Sequence, residues 1–163
     1  PSGETVLMTA SRTGRVPALT ALLQNGADPN AAEATKGQTA LMWALAERHL
    51  PAARALIDHG ADPQFVHETE YIADGVYDAR TERTTTLMAA LAMGGSSRFR
   101  PWVPYTDSGT AESRTLAAVT LLADHGVDIN AADLVGQTVL DEAEAKQYES
   151  VVTLLLERGA GNP

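Results

Sequence analysis

The side chains with the widest range of chemistry in this 163-residue chain are its four histidines. His59 and His125 occupy the same Asp-His-Gly context, at the predicted end of a helix. A cation there suits the helix dipole, and an imidazole can also bond the last free carbonyls of the helix. His49 falls in a predicted turn between two helices. We therefore expect these three histidines to serve the fold rather than catalysis.

His67 is the histidine for which metal binding can be considered. Glu68, Glu70 and Asp74 follow it closely, and carboxylates together with an imidazole could hold a cation. Their spacing, however, matches neither an EF-hand loop nor a zinc site. A cation-binding enzyme built on His67 is therefore kept only as an alternative function.

No other constellation in the sequence predicts catalysis. The acidic pairs Asp141-Glu142 and Glu82/Glu112 are more simply solvated surface than a general acid and base. Gly94-Gly95 follows a predicted helix rather than a strand, so it lacks the context of a phosphate-binding loop. There is no cysteine, and no nucleophile is paired with a histidine. The sequence predicts no catalytic residue, no metal and no cofactor, and therefore no enzyme.

The most regular feature of the chain is a unit of two short helices that recurs four times. Each unit opens with a threonine and, two positions later, a leucine: Thr5/Leu7, Thr39/Leu41, Thr85/Leu87 and Thr138/Leu140. The threonine hydroxyl can cap the first helix by accepting from a free backbone N–H. A glycine that can take the left-handed conformation stops the second helix: Gly26, Gly60, Gly126 and Gly159.

This unit resembles the ankyrin repeat, which is a turn followed by two helices in about 33 residues. Leu7 and Leu41 are 34 residues apart, close to that period. The resemblance covers nearly the whole chain and implies an all-α ankyrin-repeat solenoid of four helix-turn-helix repeats. We expect a single domain over residues 1–163, with repeats at about 3–31, 37–64, 83–130 and 136–161.

Two details of the resemblance carry further expectations. Met8, Met42 and Met88 stand where the family commonly has histidine, so packing is expected to carry more of the contact between repeats. Residues 37–44, Gly-Gln-Thr-Ala-Leu-Met-Trp-Ala, are similar to bacterial ankyrin proteins, many of which are exported. This similarity points to an extracytoplasmic, periplasmic location, with the cytoplasm as the alternative.

Two insertions interrupt the period of the repeats. The first, at about 65–82, contains Asp74-Gly75 between short apolar runs, which predicts a long β-finger with these two residues at its tip. The second, at about 94–114, falls between the two helices of the third repeat. Its glycines and prolines predict a long inter-helix loop.

Charge and hydropathy narrow the classes of partner. The net charge of −9 argues against general affinity for nucleic acids or anionic membranes. No apolar run approaches the roughly 20 residues that cross a bilayer, and no signal peptide is recognisable at the start. We expect neither nucleic-acid binding nor membrane insertion. Whether residues precede Pro1 stays open.

The remaining candidate is a protein-binding surface. In the ankyrin family, fingers and first helices line a concave face whose exposed positions contact partners. Carried onto this sequence, that face includes Arg12, Lys36, Gln38, Glu47 and Met93. Arg, Trp and Tyr are enriched at binding hot spots, so the inserts add Phe65, Tyr71, Tyr77, Arg98, Arg100, Trp102 and Tyr105. The alternatives are ordinary solvated surface and, for Phe99 and Trp102, aromatic packing against the third repeat.

The function predicted from the sequence is non-enzymatic protein–protein interaction, as a scaffold-like adaptor or an accessory subunit of a larger assembly. The alternative is a regulatory or recruiting domain of an enzyme whose catalytic part lies outside this chain. Residues 80–114 carry a charge of +2 within the acidic protein, which predicts an acidic contact for this stretch.

Overall fold

The computed structural model describes residues 3–34, 37–72, 79–92 and 108–161, and this part of the chain is mostly helical. The helices described are α1 (Val6–Arg12), α2 (Val16–Gln24), α3 (Ala40–Ala46), α4 (Leu50–Asp58), α5 (Thr86–Ala90), α6 (Ser108–Asp124), α7 (Val139–Ala145) and α8 (Glu149–Glu157). The strands described are β1 (Val66–Ile72) and β2 (Ala79–Thr85).

Threonine caps begin the first helix of each predicted unit. Each hydroxyl accepts a hydrogen bond from the backbone N–H three residues later, at 3.1 to 3.3 Å, and the capping residues are Thr5, Thr39, Thr85 and Thr138. Asp141 also bonds back to the Thr138 backbone N–H at 2.8 Å, which completes a capping box. The predicted capping threonines are therefore confirmed.

The turn after each of these helices contains a residue with a left-handed backbone. Gly14 has φ of +65° there, and the equivalent positions hold Arg48, Ala92 and Gln147 with φ between +57° and +58°. A side chain in this conformation costs roughly 1–2 kcal/mol relative to glycine. The turn therefore keeps the same left-handed backbone even where the residue is not glycine.

The helices pack in successive pairs around a continuous apolar core. α1 packs on α2, α3 on α4, α5 on α6 and α7 on α8, and neighbouring pairs are joined through α1 and α3, α3 and α5, α2 and α4, α4 and α6, and α6 and α8. Leu41 and Leu56 are at most 1 % exposed. The methionines of the first helices, Met8, Met42 and Met88, are equally buried, as a packing role requires.

Asparagine side chains join the turn after one second helix to the corresponding turn of the next pair. Asn30 donates to the carbonyl of Gly60 at 2.9 Å and accepts from the backbone N–H of Asp62 at 2.7 Å. Asn130 makes the corresponding two bonds to the turn after α8, at 3.4 and 3.0 Å. Gln64 occupies the same position after α4, and its backbone N–H donates to Asp62 Oδ1 at 2.8 Å, a bond within its own turn.

The first insertion contains an antiparallel hairpin. β1 pairs with β2 in a register that runs from Val66 opposite Thr85 to Ile72 opposite Ala79. Thr85 ends β2 and also caps α5, so the hairpin continues directly into the next helix. The predicted finger tip, Asp74-Gly75, lies outside the described residues.

The second insertion, predicted at about 94–114, ends earlier than the sequence indicates. Residues 94–107 lie outside the described part, but residues 108–114, predicted as loop, form the first turns of α6. Ala111 and Thr115 are 6 % and 0 % exposed and continue the buried face of Ala118 and Leu122. Burial at these helical spacings stabilises the extension despite the nearby glycines. The predicted end of the loop at residue 114 was therefore wrong.

Candidate functional site

Arg12 and Trp43 meet where the first two helix pairs join. The guanidinium carbon of Arg12 lies 5.5 Å from the centroid of the Trp43 ring, a cation–π contact. The same guanidinium pairs with Glu4 at 3.3 Å, and the Arg12 carbonyl accepts from His49 Nε2 at 3.2 Å. Arg12 is half-buried and engaged within the protein, and Trp43 packs against the core.

Gln38 and Glu47 are buried, although the sequence predicted exposed positions. Gln38 is 4 % exposed and Glu47 is 9 % exposed. The Gln38 carbonyl accepts from the backbone N–H of Glu33 at 3.1 Å, which closes the turn before α3. Ala46, beside Glu47, is 1 % exposed and belongs to a small buried cluster with Ala89 of α5. Neighbouring elements therefore cover the end of α3, and the predicted exposure of both residues was wrong.

Phe65 and His67 fasten the hairpin to the turn before α3. Their rings are stacked, with centroids 6.5 Å apart and planes 4° from parallel. A Cβ on Gly37 would lie 2.0 Å from His67 Cγ. The imidazole therefore occupies the space that any side chain at position 37 would need. Phe65 is partly buried against Met42 and Ala46.

The proposed cation site around His67 gains no support from this geometry. Glu68 forms an ion pair with Arg83 across the hairpin at 2.7 Å. The side chain of Glu70 and all of Asp74 fall outside what is described. Within the described ranges, no group of three or more His, Asp or Glu side chains could hold a metal ion.

The other predicted contact residues are placed only in part. Tyr71 lies in β1, where its backbone pairs with Arg80. The rest of the set, namely Lys36, Tyr77, Met93, Arg98, Arg100, Trp102 and Tyr105, lies outside the described residues. Their role in partner binding stays a prediction.

The histidines predicted to be structural make structural hydrogen bonds. His59 Nδ1 bonds the carbonyl of Ala55, and His125 Nδ1 bonds the carbonyl of Leu121, both at 2.8 Å. Each bond satisfies a carbonyl near the end of a second helix, where the backbone leaves acceptors free. These predictions are confirmed.

Sequence reasoning missed the polar contacts of the α6 extension. Glu112 Oε1 accepts from both the backbone N–H and the hydroxyl of Ser150, at 2.8 and 2.6 Å, and so caps α8 from another helix. The Ser150 hydroxyl bond, followed by the backbone bond, lowers the pKa of Glu112. Thr115 Oγ1 accepts from Arg48 Nε at 3.2 Å. The four-residue spacing of Ala111 and Thr115 was the sequence pattern that could have indicated this extension of α6.

An open groove of about 370 Å³ lies beside this contact, lined by Glu112, Ser113, Leu116, Gln147, Glu149 and Ser150. Glu112 is occupied by capping α8, and Asp141 is occupied by the capping box of α7, where the Thr138 bonds lower its pKa. Both carboxylates therefore serve as helix caps.

These observations describe a helical repeat protein, and comparison with known proteins identifies its first part. Residues 1–67 match the family model for ankyrin repeats, described as three copies. The match covers the first two predicted repeats, and over these residues the prediction of ankyrin repeats is confirmed. No curated protein is similar enough in sequence to be matched. Among the described residues, no helix is both long enough and apolar enough to cross a membrane.

Proposed function

We propose that this chain is a non-enzymatic protein-binding module that acts as an adaptor or an accessory subunit of a larger assembly. The observation that carries the proposal is the ankyrin match, because ankyrin repeats generally mediate protein–protein interaction. We take residues 1–163 as one domain of four repeats, with a long finger and a long loop as its two insertions. The helix pairs from α1 to α8 would be those repeats.

Rigid preorganisation is the mechanism we propose for binding. Helices that pack on their neighbours lose little further conformational freedom when a partner associates, which lowers the entropic cost of binding. The buried methionines and the Asn30 bonds support this rigidity in the first two pairs. Partner specificity would come from the hairpin and from residues 94–107.

The hairpin is well suited to present side chains away from the helices. Its base is fixed where His67 lies against Gly37 and where Phe65 packs on Met42 and Ala46. A two-stranded hairpin is marginally stable alone, so this anchoring is needed to hold it in one orientation. The residues beyond the anchor are then free to provide contacts without being needed for the fold.

Two trimmed chains test the proposal. One replaces residues 69–82 by a short turn and keeps the pairs from Val66–Thr85 to Glu68–Arg83. The other replaces residues 94–107 by a glycine-serine linker. We expect both to keep the helical circular dichroism of the parent and, when combined, to lose the protein that co-purifies with the full chain.

The matched control is Arg83→Ala, which breaks the exposed ion pair with Glu68 while leaving the hairpin at full length. It should retain the partner. Undiminished recovery of the partner by the doubly trimmed chain would refute the role of the insertions. If the co-purifying protein were an enzyme with altered turnover in the complex, a recruiting or regulatory role would replace the adaptor role.

A further inference from the structure

The turn before α7 carries an exposed apolar pair. Val135 is 87 % exposed and Leu134 is 45 % exposed. Elsewhere in the described residues, the large apolar side chains with comparable exposure are isolated along the chain: Val6, Val66 and Leu156. The corresponding turn before α3 has the smaller Ala34 in place of Leu134. Two adjacent apolar residues left in water cost free energy that a partner could recover by covering them.

The backbone beneath this pair is held firmly. Asp133 Oδ1 accepts from the backbone N–H groups of Val135 and Gln137, at 2.9 and 2.8 Å. The Asp133 N–H donates to the Gln137 carbonyl at 2.9 Å, and the Gly136 N–H donates to the Asp133 carbonyl at 3.1 Å. Four bonds in one turn mean that little backbone entropy remains to be lost when the pair is covered.

The surroundings of the pair are acidic. Asp141 and Glu142 lie at the start of α7. Gln137, in the turn before α7, donates from Nε2 to Glu142 Oε2 at 3.3 Å. Residues 133–146, which form the turn and α7, contain four carboxylates and one cation, a charge of −3. That cation, Lys146, already forms an ion pair with Glu142.

We propose that the Leu134–Val135 turn is a docking point for a basic protein segment in which an apolar side chain stands next to lysine or arginine. The apolar side chain covers Val135, and the net negative charge of the turn and α7 attracts the cations. A second copy of this chain is a poor occupant because each copy carries a net charge of −9. The inference rests on the proposed protein-binding function and names the partner class for this surface.

A labelled peptide that alternates leucine and lysine provides the probe, with a leucine–glutamate peptide as its charge-reversed counterpart. Fluorescence anisotropy with the full chain should show salt-sensitive binding of the basic peptide and much weaker binding of the acidic one. We expect Leu134→Ser combined with Val135→Ser to lower the affinity for the basic peptide about tenfold, equivalent to about 1.4 kcal/mol. Val135→Ser alone should give part of this loss, because its exposed side chain has little part in folding.

Val6→Ser is the matched control, since Val6 is also exposed, at 70 %, but lies at the opposite end of the array. It should bind the basic peptide like the parent chain. The inference would be overturned if the double variant bound the basic peptide as tightly as the parent chain does. It would also be overturned if the parent chain bound the basic and acidic peptides equally. Sedimentation velocity that revealed a dimer lost in the double variant would overturn it in favour of self-association. The insertions stay intact here, so failure of the peptide test leaves the trimmed-chain test of the proposed function unaffected.

Discussion

At the scale of single residues, several side chains have structural roles that local spacing alone can suggest. The capping threonines and the helix-terminal histidines act within three or four residues of their own position, so the sequence predicted them correctly. Gln38 and Glu47 were predicted wrongly as exposed. For Glu47 the reason is that α5, distant in the chain, packs against the end of α3. Local chemistry could be predicted for this protein more readily than exposure.

Gly14→Ala should destabilise the protein through two separate effects. The left-handed backbone at φ +65° disfavours any side chain, and the new Cβ would lie 2.7 Å from the His49 ring. We expect a loss of about 2–4 kcal/mol in urea unfolding at neutral pH, combining backbone strain with a displaced imidazole.

Gly26→Ala separates the two effects. Gly26 also has a positive φ, +85°, but no atom lies within 4 Å of the position that a Cβ would occupy there. This variant should therefore lose only about 1–2 kcal/mol from backbone strain. Equal losses in the two variants would show that His49 does not press on Gly14.

At the scale of elements, the contacts that join helix pairs were the least predictable part. Glu112 and Ser150 are 38 residues apart, and Arg48 and Thr115 are 67 residues apart. No periodicity in the sequence reports which distant groups will meet. The α6 extension was missed because the glycines and prolines of residues 94–114 predict a loop. The burial of Ala111 and Thr115 favours a helix instead.

Asn30→Ala should weaken the junction between the first two pairs. It removes one donor bond and one acceptor bond across that junction, with an expected loss of about 1–3 kcal/mol in chemical unfolding. Gln64→Ala is the control at the equivalent position, and its effect should stay within about 0.5 kcal/mol. A loss for Gln64→Ala as large as that for Asn30→Ala would contradict the role assigned to the asparagine.

The Glu112 cap should make stability depend on pH. Hydrogen bonds from Ser150 lower the folded-state pKa of Glu112 below its unfolded value, which is about 4.3. The cap therefore stabilises fully above that value, and its contribution is lost as the pH falls through the folded-state pKa. Glu112→Gln should lower the melting temperature at neutral pH. Its melting temperature should also fall less than that of the parent chain as the pH is lowered.

Ser150→Ala provides the second arm of a double-mutant cycle, because it removes the main cause of the lowered pKa of Glu112. The two substitutions should be strongly non-additive at neutral pH, and their coupling should vanish in acid. Additive effects at every pH would show that Glu112 and Ser150 act independently.

At the scale of the whole molecule, the described side chains of the array are largely committed to holding it together. Arg12 and His67, both considered for function, contact Trp43 and Phe65 respectively. The segments that we propose for recognition are the hairpin insertion, residues 94–107 and the Leu134–Val135 turn. Ankyrin repeats and a mostly helical fold could be predicted because a repeated pattern is redundant, whereas insertions occur once and carry no such redundancy.

Hydrogen–deuterium exchange of the full chain, alone and with its co-purified partner, tests the binding account most directly. We predict slower exchange in residues 66–85 on complex formation, with the buried centres of α2 and α4 unchanged because they already pack within the array. Protection confined to the outer faces of the second helices, with exchange in the hairpin unaltered, would contradict it.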